Sequence, residues 1–155
     1  MNKDIAHLLI LDHLEDPQNV GNIIRSAGAF DANAIILTKQ RSVQETPSLI
    51  KACSGASEIV PIFVVPNIAT IIKESKEYGF WVLGLDGTAT ENINHFEMPK
   101  KSVSIIGSEK SGIQNMHKKL CDWLIKIPIS HNVESLNAAT AAGMILNKFK
   151  STHQS

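Results

Sequence analysis

The arrangement that most restricts the fold of this chain is the alternation of short apolar runs with longer amphipathic stretches. Apolar runs at His7–Leu11, Ala34–Leu37, Ile59–Val65, Phe80–Leu85, Val103–Ile106 and Leu124–Ile127 have strand length and few polar breaks. Between them, helical spacing recurs near Val20–Phe30, Ser48–Cys53, Ile68–Tyr78 and Asn115–Leu120, with a final helix from Leu136 to about Lys148. A strand that is apolar on both faces must be covered on both, and parallel strands need long crossovers that helices supply. The expectation is an α/β fold: a parallel sheet with helices on both faces. Ligands of such sheets bind beyond the carboxyl ends of the strands. With 155 residues and 43% apolar side chains, residues 1–155 read as a single domain with a real core, and no repeat or linker divides them. One long irregular stretch, Asp86–Ser102, contains Gly87 and Pro99. Loops of that length in compact domains are often functional.

Charge and composition exclude several classes of function. Fifteen basic and fifteen acidic side chains cancel, so no global field draws the chain to nucleic acid or an anionic membrane. An RNA partner must then be held by local patches. Lys100 with Lys101, Lys118 with Lys119, and Lys148 with Lys150 are candidates, and each pair reads equally as solvated surface. Cys53 and Cys121 stand far apart without a C-x-x-C pattern, which fits reduced thiols better than a disulfide or zinc framework. His7, His13, His95, His117, His131 and His153 lack metal-ligand spacing and read as ordinary surface or core residues, so no metal is expected. No apolar run has the length of a membrane span, and the N-terminus lacks a long apolar leader segment, which predicts a soluble cytoplasmic protein without membrane contact. Neither a Gly-x-Gly-x-x-Gly fingerprint after the first strand nor a Walker-type loop is present, which argues against a nicotinamide oxidoreductase or an NTPase.

Three segments carry candidate chemistry, each after a predicted strand. The first runs Asp16-Pro17-Gln18-Asn19-Val20-Gly21-Asn22-Ile23-Ile24-Arg25, with Asn19 as the expected helix cap. On a helical wheel Gly21, Gly28 and Ala29 fall within about 60° of Arg25, while Ile23, Ala27 and Phe30 cluster on the other side. That predicts an apolar packing face and a bare arginine face, where a guanidinium above glycine backbone can meet a planar or anionic group. The same residues read equally as a surface arginine beside helix-packing glycines. The second segment, Gly107-Ser108-Glu109-Lys110-Ser111-Gly112, lets Gly107 turn the chain and admit a ligand, with Glu109 facing the crevice; alone, it is more often a simple turn. The third is Ser135-Leu136-Asn137-Ala138-Ala139-Thr140-Ala141-Ala142-Gly143, with Ser135 as the expected cap and a run of small residues suited to close backbone packing. Free amides in its first turn suit an anion or a polar ligand edge, although the alanine run reads first as helix packing.

In order, Asp16-Pro17-x-Asn19-x-Gly21-x-x-x-Arg25-x-Ala27, Gly107-x-Glu109-x-x-Gly112 and Ile127-Pro128 followed by Ser135-Leu136-Asn137 resemble the three motifs of the SpoU/TrmH family of RNA ribose 2′-O-methyltransferases. Lys51-Ala52-Cys53-Ser54-Gly55-Ala56 and Val82-Leu83-Gly84-Leu85-Asp86-Gly87 are further similar to the branch acting on guanosine in large-subunit ribosomal RNA. The resemblance implies a SPOUT-type fold with a C-terminal trefoil knot, an exception to the rule that chains do not thread loops. It also implies an S-adenosylmethionine pocket, an RNA substrate and a homodimer. Carried over by position, Leu85, Gly87, Gly107, Ile127 and Leu136 are the implied cofactor contacts. Asn19, Arg25, Glu109, Ser135 and Asn137 are the implied polar residues around the reacting centre. Arg25 would contact ribose or phosphate and stabilise a developing alkoxide, since a guanidinium stays protonated. Glu109 would fix Arg25 or backbone amides and is the easier base. A transfer RNA 2′-O-methyltransferase and a non-catalytic RNA-binding module are the alternatives. Two departures stand out. The first predicted strand begins within ten residues, without the RNA-binding extension common in relatives, and Asp31 follows Phe30 where the family usually has glycine. Aspartate tolerates the left-handed conformation such a position requires.

Overall fold

A computed structural model describes residues 4–38 and 60–153. In chain order the elements are β1 (Ala6–Asp12), α1 (Pro17–Ala29), β2 (Ala34–Thr38), β3 (Ile62–Val65), α2 (Ile68–Glu77), β4 (Trp81–Leu85), β5 (Glu91–Asn92), β6 (Lys101–Gly107), α3 (Asn115–Lys118), β7 (Trp123–Lys126) and α4 (Ala138–His153). The predicted helix Ser48–Cys53 and the segment Lys51–Ala56 lie outside the described residues.

Among the described residues, seven strands form one sheet in the order β3-β2-β1-β6-β4-β7-β5, and every pairing there is parallel. Alternation along each strand then sorts the core into two layers. Leu9, Leu11, Ile35, Leu37, Leu83 and Ile106 pack on one face with Ile23, Ile24 and Ala27 of α1 and Ala142, Ile145, Leu146 and Phe149 of α4. Ile10, Ile36, Val82, Val103 and Ile105 pack on the other with Ile68 and Ile72 of α2. The expected sheet covered on both sides is therefore present, for the reason the apolar runs suggested.

Several boundaries differ from the sequence expectation. Pro61 supplies a carbonyl to the Ile35 amide at 2.9 Å but cannot donate, and β3 is confined to Ile62–Val65 at the sheet edge. The stretch expected to be irregular from Asp86 to Ser102 contains β5, and its last two residues already belong to β6. β7 thus lies between β4 and β5, two strands of the same upstream segment. Helix α1 starts earlier than expected because Asp16, not Asn19, is its cap: the Asp16 carboxylate accepts from the Gln18 amide at 2.9 Å, with Pro17 in the first turn. At the other end Asp31 has φ 57°, and the Ala32 amide donates to the Ala27 carbonyl at 2.9 Å. Asp31 therefore takes the left-handed terminating position usually filled by glycine, and its carboxylate also pairs with Lys150 of α4.

Candidate functional site

The strand order sets β1, β6, β4 and β7 side by side, so their carboxyl ends open onto one edge. The residues there follow directly from each strand: Asp12 ends β1, Gly107 ends β6, Leu85 ends β4, and Ile127 follows β7. Leu85, Ile127 and Leu136 are each half-buried and Gly87 is exposed. A side chain at Gly87 would meet nothing within 4 Å, which leaves open space beside the β4 end. The residues at this edge therefore offer an apolar lining with an unobstructed glycine, a surface that suits a flat organic ligand.

Gly107 behaves differently from the expectation. A Cβ there would stand 2.1 Å from the Gly112 carbonyl carbon and 2.3 Å from the Ile113 nitrogen. The space it leaves is filled by the chain's own return, not by room for a ligand. The return is a tight loop: the Gly112 amide donates to the Ser108 carbonyl at 2.8 Å, the Ser108 and Ser111 hydroxyls meet at 2.7 Å, and Gly112 has φ 65°. This fold-back presents Glu109 at the crevice.

Asn19, Glu109 and Asn137 converge from three distant parts of the chain. The Asn137 side-chain amide donates to Asn19 Oδ1 at 2.9 Å and to Glu109 Oε1 at 3.0 Å. Asn19 Nδ2 reaches the same Glu109 oxygen at 3.4 Å, and the Ala138 amide donates to it at 3.2 Å. Asn137 Oδ1 in turn accepts from the amides of Ala139 and Thr140, at 2.9 and 3.2 Å. Asn137 is thus the cap of α4, and this corrects the expectation for Ser135, which lies exposed two residues before it. The carboxylate of Glu109 sits at the start of a 16-residue helix, where the exposed amides carry partial positive charge. Glu109 therefore holds a backbone amide, one of the two roles implied for it.

Arg25 is exposed on α1, about 9 Å of helix rise beyond Asn19. Among the described residues it has no hydrogen bond or ion pair, and Glu109 does not fix it. Gly21, expected beside it on the bare face, is buried; Gly28 is half-buried and Ala29 exposed. The structure thus joins Asn19, Glu109 and Asn137 in one cluster and, among the described residues, leaves the guanidinium without a partner on the same helix as Asn19.

Sequence reasoning missed a second cluster just beneath. Asp12 is fully buried, and its carboxylate accepts from His13 Nδ1 at 2.5 Å, His117 Nδ1 at 2.7 Å and the Gln114 amide at 3.0 Å. The available signal was a charged residue closing an apolar strand. Two of the histidines read as ordinary are the partners of that charge. Among the described residues no group of three or more His, Cys, Asp or Glu could hold a metal ion, and no helix is long and apolar enough to cross a membrane.

Comparison with known proteins matches residues 6–147 to the SpoU rRNA Methylase family. The chain belongs to this family. YacO, a TrmH-family protein of Bacillus subtilis, is 43% identical over 138 residues, covering 89% of this chain and 55% of that protein. The 23S rRNA (guanosine-2′-O-)-methyltransferase RlmB of Neisseria meningitidis is 36% identical over 141 residues, 91% of this chain and 56% of its own length. The chain spans just over half the length of these curated relatives. The crystal structure of the SpoU methyltransferase AviRb from Streptomyces viridochromogenes, in complex with the cofactor AdoMet, matches with a TM-score of 0.86 at 26% identity, over 100% of this chain and 60% of that one. The α/β sheet of this SpoU domain is accordingly SPOUT-type, as the motifs implied.

Proposed function

We propose that this SpoU domain transfers a methyl group from S-adenosylmethionine to a ribose 2′-hydroxyl of RNA, with guanosine of ribosomal RNA as the substrate suggested by the similarity to RlmB. The observation that carries the reading is the Asn19–Glu109–Asn137 cluster, which ties the three motif segments together at the open strand ends. Leu85, Gly87, Gly107, Ile127 and Leu136 would hold the cofactor. The half-buried apolar side chains and the open space at Gly87 fit an adenosyl group. When bound, S-adenosylmethionine supplies an electrophilic methyl group on a sulfonium.

The chain's own residues have separable tasks. Arg25, uncommitted among the described residues, contacts the ribose or its phosphate and stabilises negative charge on the attacking oxygen. It is not the base, because a guanidinium keeps its proton. Among the described residues only Oε1 of Glu109 is engaged, so Oε2 is left to take a proton. Asn19 and Asn137 hold that carboxylate, and Ser135 is the remaining polar residue of the motif that leads into α4. β7 lies between β4 and β5, both strands of the upstream segment 81–92, which supports passage of the following chain through that segment as a C-terminal trefoil knot. A homodimer acting on RNA in the cytoplasm belongs to the same reading.

The test pairs calorimetry with a transfer assay. The protein should bind S-adenosylhomocysteine, and Arg25→Ala should lose methyl transfer while keeping that affinity. Wild-type turnover in Arg25→Ala removes the arginine from the mechanism. Absence of binding by the unmodified chain rejects the transferase in favour of an RNA-binding module. Mapping 2′-O-methyl marks in ribosomal and transfer RNA, with and without the gene, decides between the two substrates.

A further inference from the structure

Strands β1 and β6 are paired so that Asp12 lies opposite Gly107, their last residues. Two motif loops leave from this one point. Residues 13–16 lead into α1 and to Asn19; residues 108–113 carry Glu109 out and return to Gln114. The Asp12 carboxylate touches both. Oδ1 accepts from His13, at the start of the first loop, and Oδ2 accepts from the Gln114 amide and His117, at the end of the second. The circuit is closed by the Gln114 side-chain amide, 3.1 Å from His13 Nε2. With its Nδ1 donating to Asp12, His13 accepts at Nε2 from that amide.

Two features set this apart from ordinary core packing. A carboxylate with no solvent exposure is costly unless every oxygen is paired, and an apolar side chain at a strand end is commonly as stable or more so. The bonds of this buried carboxylate run to two different loops and so fix their relative geometry. His13 also has φ 60°, an uncommon backbone state for a residue with a side chain. Such a conformation persists only where its surroundings hold it, and here both ring nitrogens are engaged.

We propose that Asp12, acting through His13 and His117, is a positioning residue that clamps the two motif loops at the spacing where Asn19 meets Glu109. The Asn19–Glu109 contact is 3.4 Å, close to the outer limit of a hydrogen bond, so a shift of a few tenths of an ångström separates the pair. The catalytic part of the inference rests on the methyl-transfer reading above; the clamp itself does not.

The experiment compares His117→Leu with His117→Asn, whose amide nitrogen can donate where Nδ1 does. Asp12→Asn is added where it folds. Hydrogen exchange at the Gly112 and Gln114 amides reads the clamp directly, and kcat and KM with RNA read its consequence. His117→Leu should speed exchange at both amides and lower kcat on the order of 100-fold with little change in KM, in a protein still folded at the assay temperature. His117→Asn should restore protection and most of kcat. Unchanged exchange in His117→Leu overturns the clamp. Faster exchange with unaltered kcat overturns its role in positioning. If the unmodified protein transfers no methyl group, the functional reading fails while the exchange comparison still tests the clamp.

Discussion

Replacing Asn137 probes the centre of the candidate site, because this side chain makes four hydrogen bonds, two that cap α4 and two that reach the other two motif segments. In Asn137→Ala the bonds to the amides of Ala139 and Thr140 are lost, and removing such a cap costs about 1 kcal/mol. The two donated bonds, to Asn19 and Glu109, join exposed side chains and together contribute about 1 kcal/mol more. A total of about 2 kcal/mol in a domain of this size lowers Tm by about 4–8 °C. Asn137→Asp keeps the capping oxygen but loses both donors and sets a second carboxylate against Glu109. It should be destabilised by about 1–2 kcal/mol. Adding Glu109→Gln reverses the polarity of the contact, since the glutamine amide can donate to the introduced carboxylate. The double variant should therefore regain about 1 kcal/mol over the sum of the single effects. Thermal and urea denaturation followed by circular dichroism measure each term. An Asn137→Ala midpoint equal to that of the unmodified chain, or strictly additive effects in the cycle, would refute the claim that these residues act as one cluster.

Two further outcomes follow from the geometry. Gly107→Ala places a methyl group 2.1 Å from backbone at Gly112; stability should fall by about 1–3 kcal/mol, and S-adenosylhomocysteine affinity should weaken in calorimetry, whereas an unperturbed midpoint contradicts the fold-back. His7 is buried against Phe149 and bonded to Ser104 Oγ at 2.8 Å, and burial, aided by the charge of nearby His153, lowers its pKa from 6.5 to about 3. The unfolded chain binds this proton first, so the contribution of His7 is whole above pH 6.5 and is lost as pH falls towards 3, by up to about 1.4 kcal/mol per pH unit. Combining His7→Phe with Ser104→Ala removes both partners and should flatten that slope; an unaltered slope in a pH series of denaturation curves rejects the assignment.

Much of the site is legible in the sequence because its residues lie in short motifs. Asn19, Glu109 and Asn137 stand out there, and they are the three side chains that meet. Asp31 is expected to tolerate a left-handed backbone, and it adopts one. The caps are harder. Asp16 and Asn19, or Ser135 and Asn137, are all competent capping residues within a few positions of each other. Which one caps depends on what else it bonds: Asn137 wins α4 because Glu109 and Asn19 hold it there. Asp12, His13, Gln114 and His117 escape notice because nothing in the spacing of residues 12 and 117 shows that they touch.

The strands and helices are written into local patterning, since periodicity is felt between residues a few positions apart and two-sided apolar runs leave a buried parallel sheet as the compact solution. The order in which those strands lie is not. Placing β6 beside β1 brings Asp12 opposite Gly107, and the same path joins Asn19 to Glu109 and Asn137 across 90 and 118 positions. Contacts over such separations depend on the route of the whole backbone, and no local preference carries that information.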